Sequence, residues 1–285
     1  MLSETGMHLT TPPADNQKAK GTETVPLSFL ARRSPLEQVV RKVWCFMAVA
    51  DVAFALMPVR FTLLRLGLIA GAILLWVGAV YLARRSRPLL VFLSMPPLLV
   101  AAVLFAPGRP ADPDRLRAEY VRTLESLHGV PYVWGGETRI AVDCSGLVRY
   151  ALIEAALKEG IRTGNAGLIR YAASLSYHDC SAKALGENYR DTTETVGAAH
   201  SLNEADYTTL RPGDLAVLDS GLHVLAYAGS KRWIQADPTP MRVIISPAPN
   251  AEGWFTQRVQ FVRWRVLESP GEPNVALAPS LPHPR

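Results

Sequence analysis

The sequence predicts an α+β domain, in which a helix packs on a small antiparallel sheet, preceded by an α-helical transmembrane region. Three observations carry that prediction. Apolar runs at 43–57, 61–83 and 89–106 crowd the first third of the chain. A helix-periodic stretch begins at or just after Cys144, with Leu147, Val148, Ala151, Leu152, Ala155 and Ala156 at three- and four-residue spacing. Beyond it, 215–218 and 224–228 are short apolar runs on either side of a Ser-Gly turn, which reads as a β-hairpin.

The 285 residues are 49% hydrophobic, which allows one or two domains. The net charge is +5, but the basic residues are spread out and many flank apolar segments, so nucleic acid is not an expected partner. Residues 1–36 are polar, with prolines and small residues. They read as a disordered cytoplasmic tail, and no apolar region near the start marks a secretory signal peptide.

Residues 37–107 read as a transmembrane region of three helices. At 1.5 Å per residue, 61–83 spans roughly 34 Å, enough for a bilayer core. The run at 89–106 is just long enough, and Pro96-Pro97 predicts a kink in it. The run at 43–57 is short unless it borrows 39–42, whose charged side chains can snorkel. Asp51 and Arg65 flank the connection 58–60 and are expected to pair across a helix hairpin. Lys18, Lys20, Arg32, Arg33, Arg41 and Lys42 precede the first run, and Arg84, Arg85 and Arg87 fill the second connection. That bias puts the N-terminus and the second connection in the cytoplasm, and three spans then leave the following domain outside.

Residues 108–268 form the expected catalytic domain. It opens with a helix at 114–127, whose Leu116, Tyr120, Leu124 and Leu127 share a face. The segment 159–206 reads as an insertion with helices at 167–175 and 181–189, in a structural or cleft-lining role. Within it His178 and Cys180 are too few, at that spacing, to define a metal site. Residues 257–266 read as a last strand, whose change of phase near Phe261 fits a bulge. Residues 269–285 carry several prolines and read as a disordered tail. Cys45, Cys144 and Cys180 are too few for a disulfide framework, although a Cys144–Cys180 bond stays open as an alternative. No phosphate-binding loop, paired-cysteine metal motif or dinucleotide fingerprint occurs, so no cofactor or metal is expected.

The chemistry centres on 129–150, GVPYVWGGETRIAVDCSGLVRY. A cysteine at the start of a helix sits at the positive end of its dipole, which favours thiolate, the form that attacks a carbonyl carbon. An isolated DCSG fits a buried structural cysteine equally well. Downstream, RPGD at 211–214 forms a turn, and His223 starts the second strand of the hairpin. Gln235 follows twelve residues later in WIQAD, past a turn at 230–232. Adjacent antiparallel strands set His223 and Gln235 nearly opposite one another. A nucleophile, a base and a third group holding the base in one tautomer are what acyl transfer needs.

Taken in order, PYVWGG, DCSG, RPGD, the HVLAYAG of 223–229 and the polar residue twelve after the histidine resemble the NlpC/P60 cysteine peptidases, over 112–267. The resemblance implies a papain-like fold with Cys144 as nucleophile, His223 as base and Gln235 as third residue, where histidine is common in the family. It implies Tyr132 as the tyrosine upstream of the cysteine, contributing to an oxyanion site, and Asp143 and Ser145 as substrate contacts. The implied activity is hydrolysis of a D-glutamyl–diamino-acid amide in peptidoglycan stem peptides. With the three spans and their charge bias, the expected setting is the bacterial inner membrane, multi-pass, with the catalytic domain on the periplasmic or extracellular side. The implied partners are the peptidoglycan peptide and the lipid bilayer. Two other readings stand beside it: an amidase or acyltransferase on another amide, including lipid, and an inactive cell-wall-binding module.

Overall fold

A computed structural model describes residues 35–268. The tails expected at the two ends lie almost wholly outside the described residues; only Pro35 and Leu36 of the first are seen, and they are helical. Helix α1 is Pro35–Ala55, with proline in the first turn, where a missing N–H costs nothing. Helix α2 is Thr62–Ala83 and α3 is Arg87–Phe105.

The first three helices pack antiparallel. Their 21, 22 and 19 residues correspond to about 31, 33 and 28 Å. By length and composition α2 and α3 can cross a membrane. Helix α1 holds Glu37, Arg41, Lys42 and Asp51 within its length, and does not meet the same test. It lies against the glycine face of α2: a Cβ at Gly71 would overlap Asp51, and one at Gly78 would overlap Trp44. The Trp44 indole N–H donates to the Leu75 carbonyl at 2.7 Å. At the far end Glu37 pairs with Arg84 and, at 3.3 Å, with Arg85.

That register explains why the expected Asp51–Arg65 pair does not form. Asp51 faces Gly71, and Arg65 lies six residues nearer the domain, about 9 Å along the axis. Arg65 bonds Glu137 instead. Helix α3 continues as one element through Pro96 and Pro97. Proline at 97 cannot donate to the Leu93 carbonyl, and the Trp76 indole N–H does so at 2.9 Å.

The domain that follows begins with α4, Pro113–Ser126, capped by Asp112, whose carboxylate accepts the N–H groups of Asp114 and Arg115. Helix α5 is Cys144–Thr163 and ends at the left-handed Gly164. Helices α6, Ala166–Tyr177, and α7, Ala182–Gly186, occupy the expected insertion. The helix expected over 181–189 stops at Gly186 because Asn188 and Arg190 take positive φ, which no α-helix accommodates.

Six strands follow: β1 Thr193–Ala199, β2 Leu215–Leu218, β3 Val224–Gly229, β4 Arg232–Asp237, β5 Arg242–Pro247 and β6 Val259–Trp264. They form one antiparallel sheet in the order β1-β6-β2-β3-β4-β5. The sheet is buried on both faces. Leu215, Val217, Val224, Ala226, Ile234 and Trp264 join a core with α4, α5 and α6. Ala216, Leu218, Leu225, Tyr227, Trp233 and Phe261 join a second core, closed by Leu202 and Phe255.

Two-sided burial also accounts for the phase change in the last strand. Val259 and Phe261 face the second core, while Val262 and Trp264 face the first. This is ordinary alternation with apolar residues on both faces. The irregularity lies on β1, between Thr195 and Gly197, and not on β6 at Phe261.

Candidate active site

Cys144 is the first residue of α5, and Asp143 caps that helix. The Asp143 carboxylate accepts the Gly146 N–H at 2.6 Å and the Ser145 hydroxyl at 3.0 Å through Oδ1, and the Gly135 N–H at 2.8 Å through Oδ2. One carboxylate thus ties the glycine-rich loop to the helix start. Gly146 allows this closeness: a Cβ there would overlap the Gly136 carbonyl oxygen. Apolar burial seats the rest of the helix, with Leu147 and Leu152 wholly buried and contributing about 2 kcal/mol each.

His223 stands just before β3. Cys144 Sγ lies 4.0 Å from the Leu222 carbonyl oxygen and is approached by the Val224 N–H, so the sulfur sits against the backbone on either side of His223. His223 Nε2 and Gln235 Oε1 are 2.8 Å apart and buried. An amide oxygen only accepts, so Nε2 carries the proton and Nδ1 holds the lone pair. The two residues are not directly opposite. Ser230 and Lys231 form a two-residue turn with positive φ, and the register slips between Tyr227 and Gly229. Counting back from the Ala226–Ile234 pair sets His223 across from Asp237. The imidazole reaches Gln235 as a diagonal neighbour.

Burial works against the thiolate expected from the sequence. Burial, and then the Asp143 carboxylate, push the Cys144 thiol up to about 12; the N–H groups of Val224, Ser145 and Cys144 itself offset this only in part. Burial also lowers His223 below its ordinary value, against the opposing effect of Gln235. Both shifts favour a neutral thiol and a neutral imidazole in the free site over a thiolate stabilised by the helix start. The helix-dipole contribution is modest beside the desolvation of a buried thiolate.

Tyr132 is buried beside this pair. Burial, with Cys144 and Asp143 nearby, pushes its phenol up to about 12, so it remains an O–H donor. Asp143, Cys144 and Ser145 line a cleft of about 360 Å³. Its other walls come from Trp134 to Glu137, from the β2–β3 turn at Gly221 and Leu222, and from the insertion at Asp179 to Ala182. Cys180 therefore lines the cleft that holds Cys144, and both thiols are free. Burial pushes Cys180 up to about 12 as well. The RPGD turn is held from beneath: buried Asp214 accepts two hydrogen bonds from Arg263, at 2.6 and 2.7 Å.

The model of the NlpC/P60 family matches residues 129–263. Residues 129–263 form an NlpC/P60 domain. Members of that family are cysteine peptidases or hydrolases. No curated protein matches the chain. Among solved structures, NlpC2 from Trichomonas vaginalis is 18% identical, covering 54% of this chain and 48% of its own, with a TM-score of 0.35. The peptidoglycan hydrolase RipB from Mycobacterium tuberculosis is 21% identical, covering 59% of this chain and 72% of its own, with a TM-score of 0.35. An NlpC/P60 family protein from Bacillus cereus is 20% identical, covering 52% and 40%, with a TM-score of 0.33. The chain thus spans about half the length of the first of these.

Three groups around the NlpC/P60 site carry no sequence signal. Trp254 stacks on the His223 ring, centroids 4.4 Å apart at 21°. Glu252 accepts from the Gln235 side-chain amide at 3.1 and 3.2 Å. Glu137, on the cleft wall, meets Arg65 of α2 at 2.5 Å and Arg149 of α5 at 3.1 Å. Each pairs residues far apart in the chain, and none falls in a motif.

Proposed function

We propose that this chain is a membrane-anchored cysteine peptidase that hydrolyses an amide in peptidoglycan stem peptides, of the D-glutamyl–diamino-acid type, through Cys144, His223 and Gln235. The observation that carries this reading is the 2.8 Å contact between His223 and Gln235, made beside a cysteine that opens a helix on a cleft.

The neutral pair sets the order of events. As Sγ attacks the substrate carbonyl carbon, its proton passes to His223 Nδ1. The carbonyl oxygen gains the negative charge, and the backbone N–H groups at the start of α5 and the Tyr132 hydroxyl are the donors at hand. Such a donor contributed about 3–4 kcal/mol in a studied protease. The imidazolium then protonates the leaving amine as the carbon–nitrogen bond breaks. Water, deprotonated by the same nitrogen, attacks the thioester and releases the acid and the thiol. Asp143 and Ser145 are the substrate contacts the family suggests, but their side chains already bond each other and the Gly135 and Gly146 N–H groups. A positioning role for Asp143 fits that geometry better than direct binding.

Helices α2 and α3 support anchoring. Arg41, Lys42, Arg84, Arg85 and Arg87 gather at the end away from the domain, which supports an external domain under the positive-inside rule. An enzyme fusion active only outside the cytoplasm, placed at Arg285, should work, and a cytoplasm-dependent fusion should be silent. The reverse pattern would remove the peptidoglycan substrate.

One observation favours a second reading, amide or acyl transfer on a lipid. The cleft wall at 135–137 is bonded to the connection 58–60, where the apolar helices meet the domain: Arg60 N–H donates to Gly135 and Glu137 N–H to Pro58, at 3.0 and 3.1 Å. One wall of the cleft is thus joined to the connection between the first two apolar helices. Incubation of the full chain with defined muropeptides and with lipid amides, followed by mass spectrometry, separates the readings. Muropeptide cleavage names the bond, and turnover of lipid amides alone overturns the first reading.

A further inference from the structure

The Gln235 amide has two unlike ends, since Oε1 only accepts and Nε2 only donates. Oε1 faces His223, and Nε2 donates to both Glu252 oxygens. Glu252 is itself placed by a short loop: its N–H donates to the Asn250 side chain at 2.9 Å, and Asn250 and Asn203 exchange two hydrogen bonds at 2.8 Å. Asp237 lies on β4 two residues beyond Gln235, so its side chain points to the same face. Asp237 Oδ1 accepts the Thr239 N–H at 2.8 Å, while Oδ2 is buried without a close hydrogen-bond partner, and Glu252, Thr239 and Trp254 lie beside the carboxyl.

A flip of the Gln235 amide would present N–H to His223 Nε2. That nitrogen would have to become the acceptor, the ring proton would move to Nδ1, and Nδ1 could no longer take a proton from Cys144. We propose that Glu252 is a positioning residue: with Asp237 it fixes the Gln235 amide so that Oε1 faces His223 and the lone pair is left on Nδ1. The proton on Glu252 goes to Asp237 Oδ2, so Glu252 offers Gln235 only an acceptor and the flipped amide has no partner. In agreement, burial and Asp237 raise Glu252 to about 7. Burial raises Asp237 too, but bonds from Glu252, Thr239 and Trp254 outweigh it and hold that carboxyl low. A histidine at position 235 would carry no amide to orient, so this device belongs to the glutamine found here.

The inference rests on His223 being the base, and the test includes a readout that needs no substrate. Nitrogen-15 NMR of the His223 ring in the full chain, in detergent, should report the Nε2–H tautomer in wild type and loss of that single tautomer in Glu252→Ala. In Glu252→Ala, kcat should fall on the order of tenfold or more with KM little changed. Glu252→Gln should keep both tautomer and kcat, because its carbonyl accepts from Gln235 while its N–H donates to Asp237. In a Gln235→Ala background, Glu252→Ala should cause no further loss. If Glu252→Ala folds poorly, Glu252→Met keeps the volume without the acceptor. An unchanged tautomer with kcat within about twofold of wild type, or an equal loss in both backgrounds, overturns the proposal. A shifted tautomer without muropeptide turnover in wild type would leave Glu252 positioning intact and sink the substrate reading.

Discussion

Arg65, one turn inside α2, reaches into the catalytic domain and holds Glu137 at 2.5 Å, and Glu137 faces Arg149 at 3.1 Å. The wall of the cleft and the apolar helices are therefore one structural unit. Burial nevertheless raises the Glu137 carboxyl to about 7, with Arg149 and Arg65 opposing. A raised folded-state value favours the protonated form. The associated stability is full below about 4.5 and is lost as pH rises through about 7, a difference of roughly 3 kcal/mol. Glu137→Gln should remove that slope, and thermal unfolding in detergent from pH 4 to 8 checks it. A variant as pH-dependent as wild type would contradict the assignment.

Gly146 offers a second test. Alanine there would push against the Gly136 backbone, which has no flexible end to give way. Gly146→Ala should cost about 2 kcal/mol and displace the loop that Asp143 ties to α5. Loss of turnover with only a small fall in melting temperature is the expected pattern. Full activity would mean that the close approach does not matter.

The neutral thiol and imidazole predict the pH profile. Burial holds His223 below 6.5 and Cys144 up at about 12. The acid limb of kcat/KM should therefore fall below pH 6.5, with a plateau continuing through the mildly alkaline range. Ultraviolet difference spectra between wild type and Cys144→Ala should show no thiolate band at neutral pH. A strong thiolate band at neutral pH would restore the thiolate expected from sequence.

The third residue can be tested against its neighbour. Gln235→Ala should lower kcat clearly, though less than Cys144→Ala or His223→Ala, while Gln235→His should retain activity. Asp237 does not touch His223 through a hydrogen bond and bonds Thr239 instead. Asp237→Ala should therefore cost less than Gln235→Ala, and Cys180→Ala should keep most of the activity. Parallel kcat measurements with folding checked decide this, and a dead Asp237→Ala beside a near-normal Gln235→Ala would reverse the assignment.

The fold class was readable because periodicity survives in α5 and in the β2–β3 hairpin, and because the motifs of the domain are local. Local signals end where long-range packing begins. Strands β1 and β5 carry no clear alternation, and β1 even shifts register at Val196. The Asp51–Arg65 pair looked natural from the connection between them, but the contact of α1 with Gly71 and Gly78 sets the helices at another register. The upward shift of the Cys144 thiol is a similar case. A helix start is visible in sequence, whereas the burial that outweighs it arises from the loop at 134–137 and from the turn at Leu222. Trp254 reaches His223, and Glu252 reaches Gln235, from a loop distant in sequence from both.

The central claim is that Cys144 is the acylated nucleophile. Intact-protein mass spectrometry on acid-quenched reactions with a muropeptide tests it most directly. The account predicts an adduct with the mass of the acyl half of the peptide, mapped to Cys144 and absent in Cys144→Ala. Turnover without an adduct in Cys144→Ala, or an adduct mapped to Cys180, would contradict it.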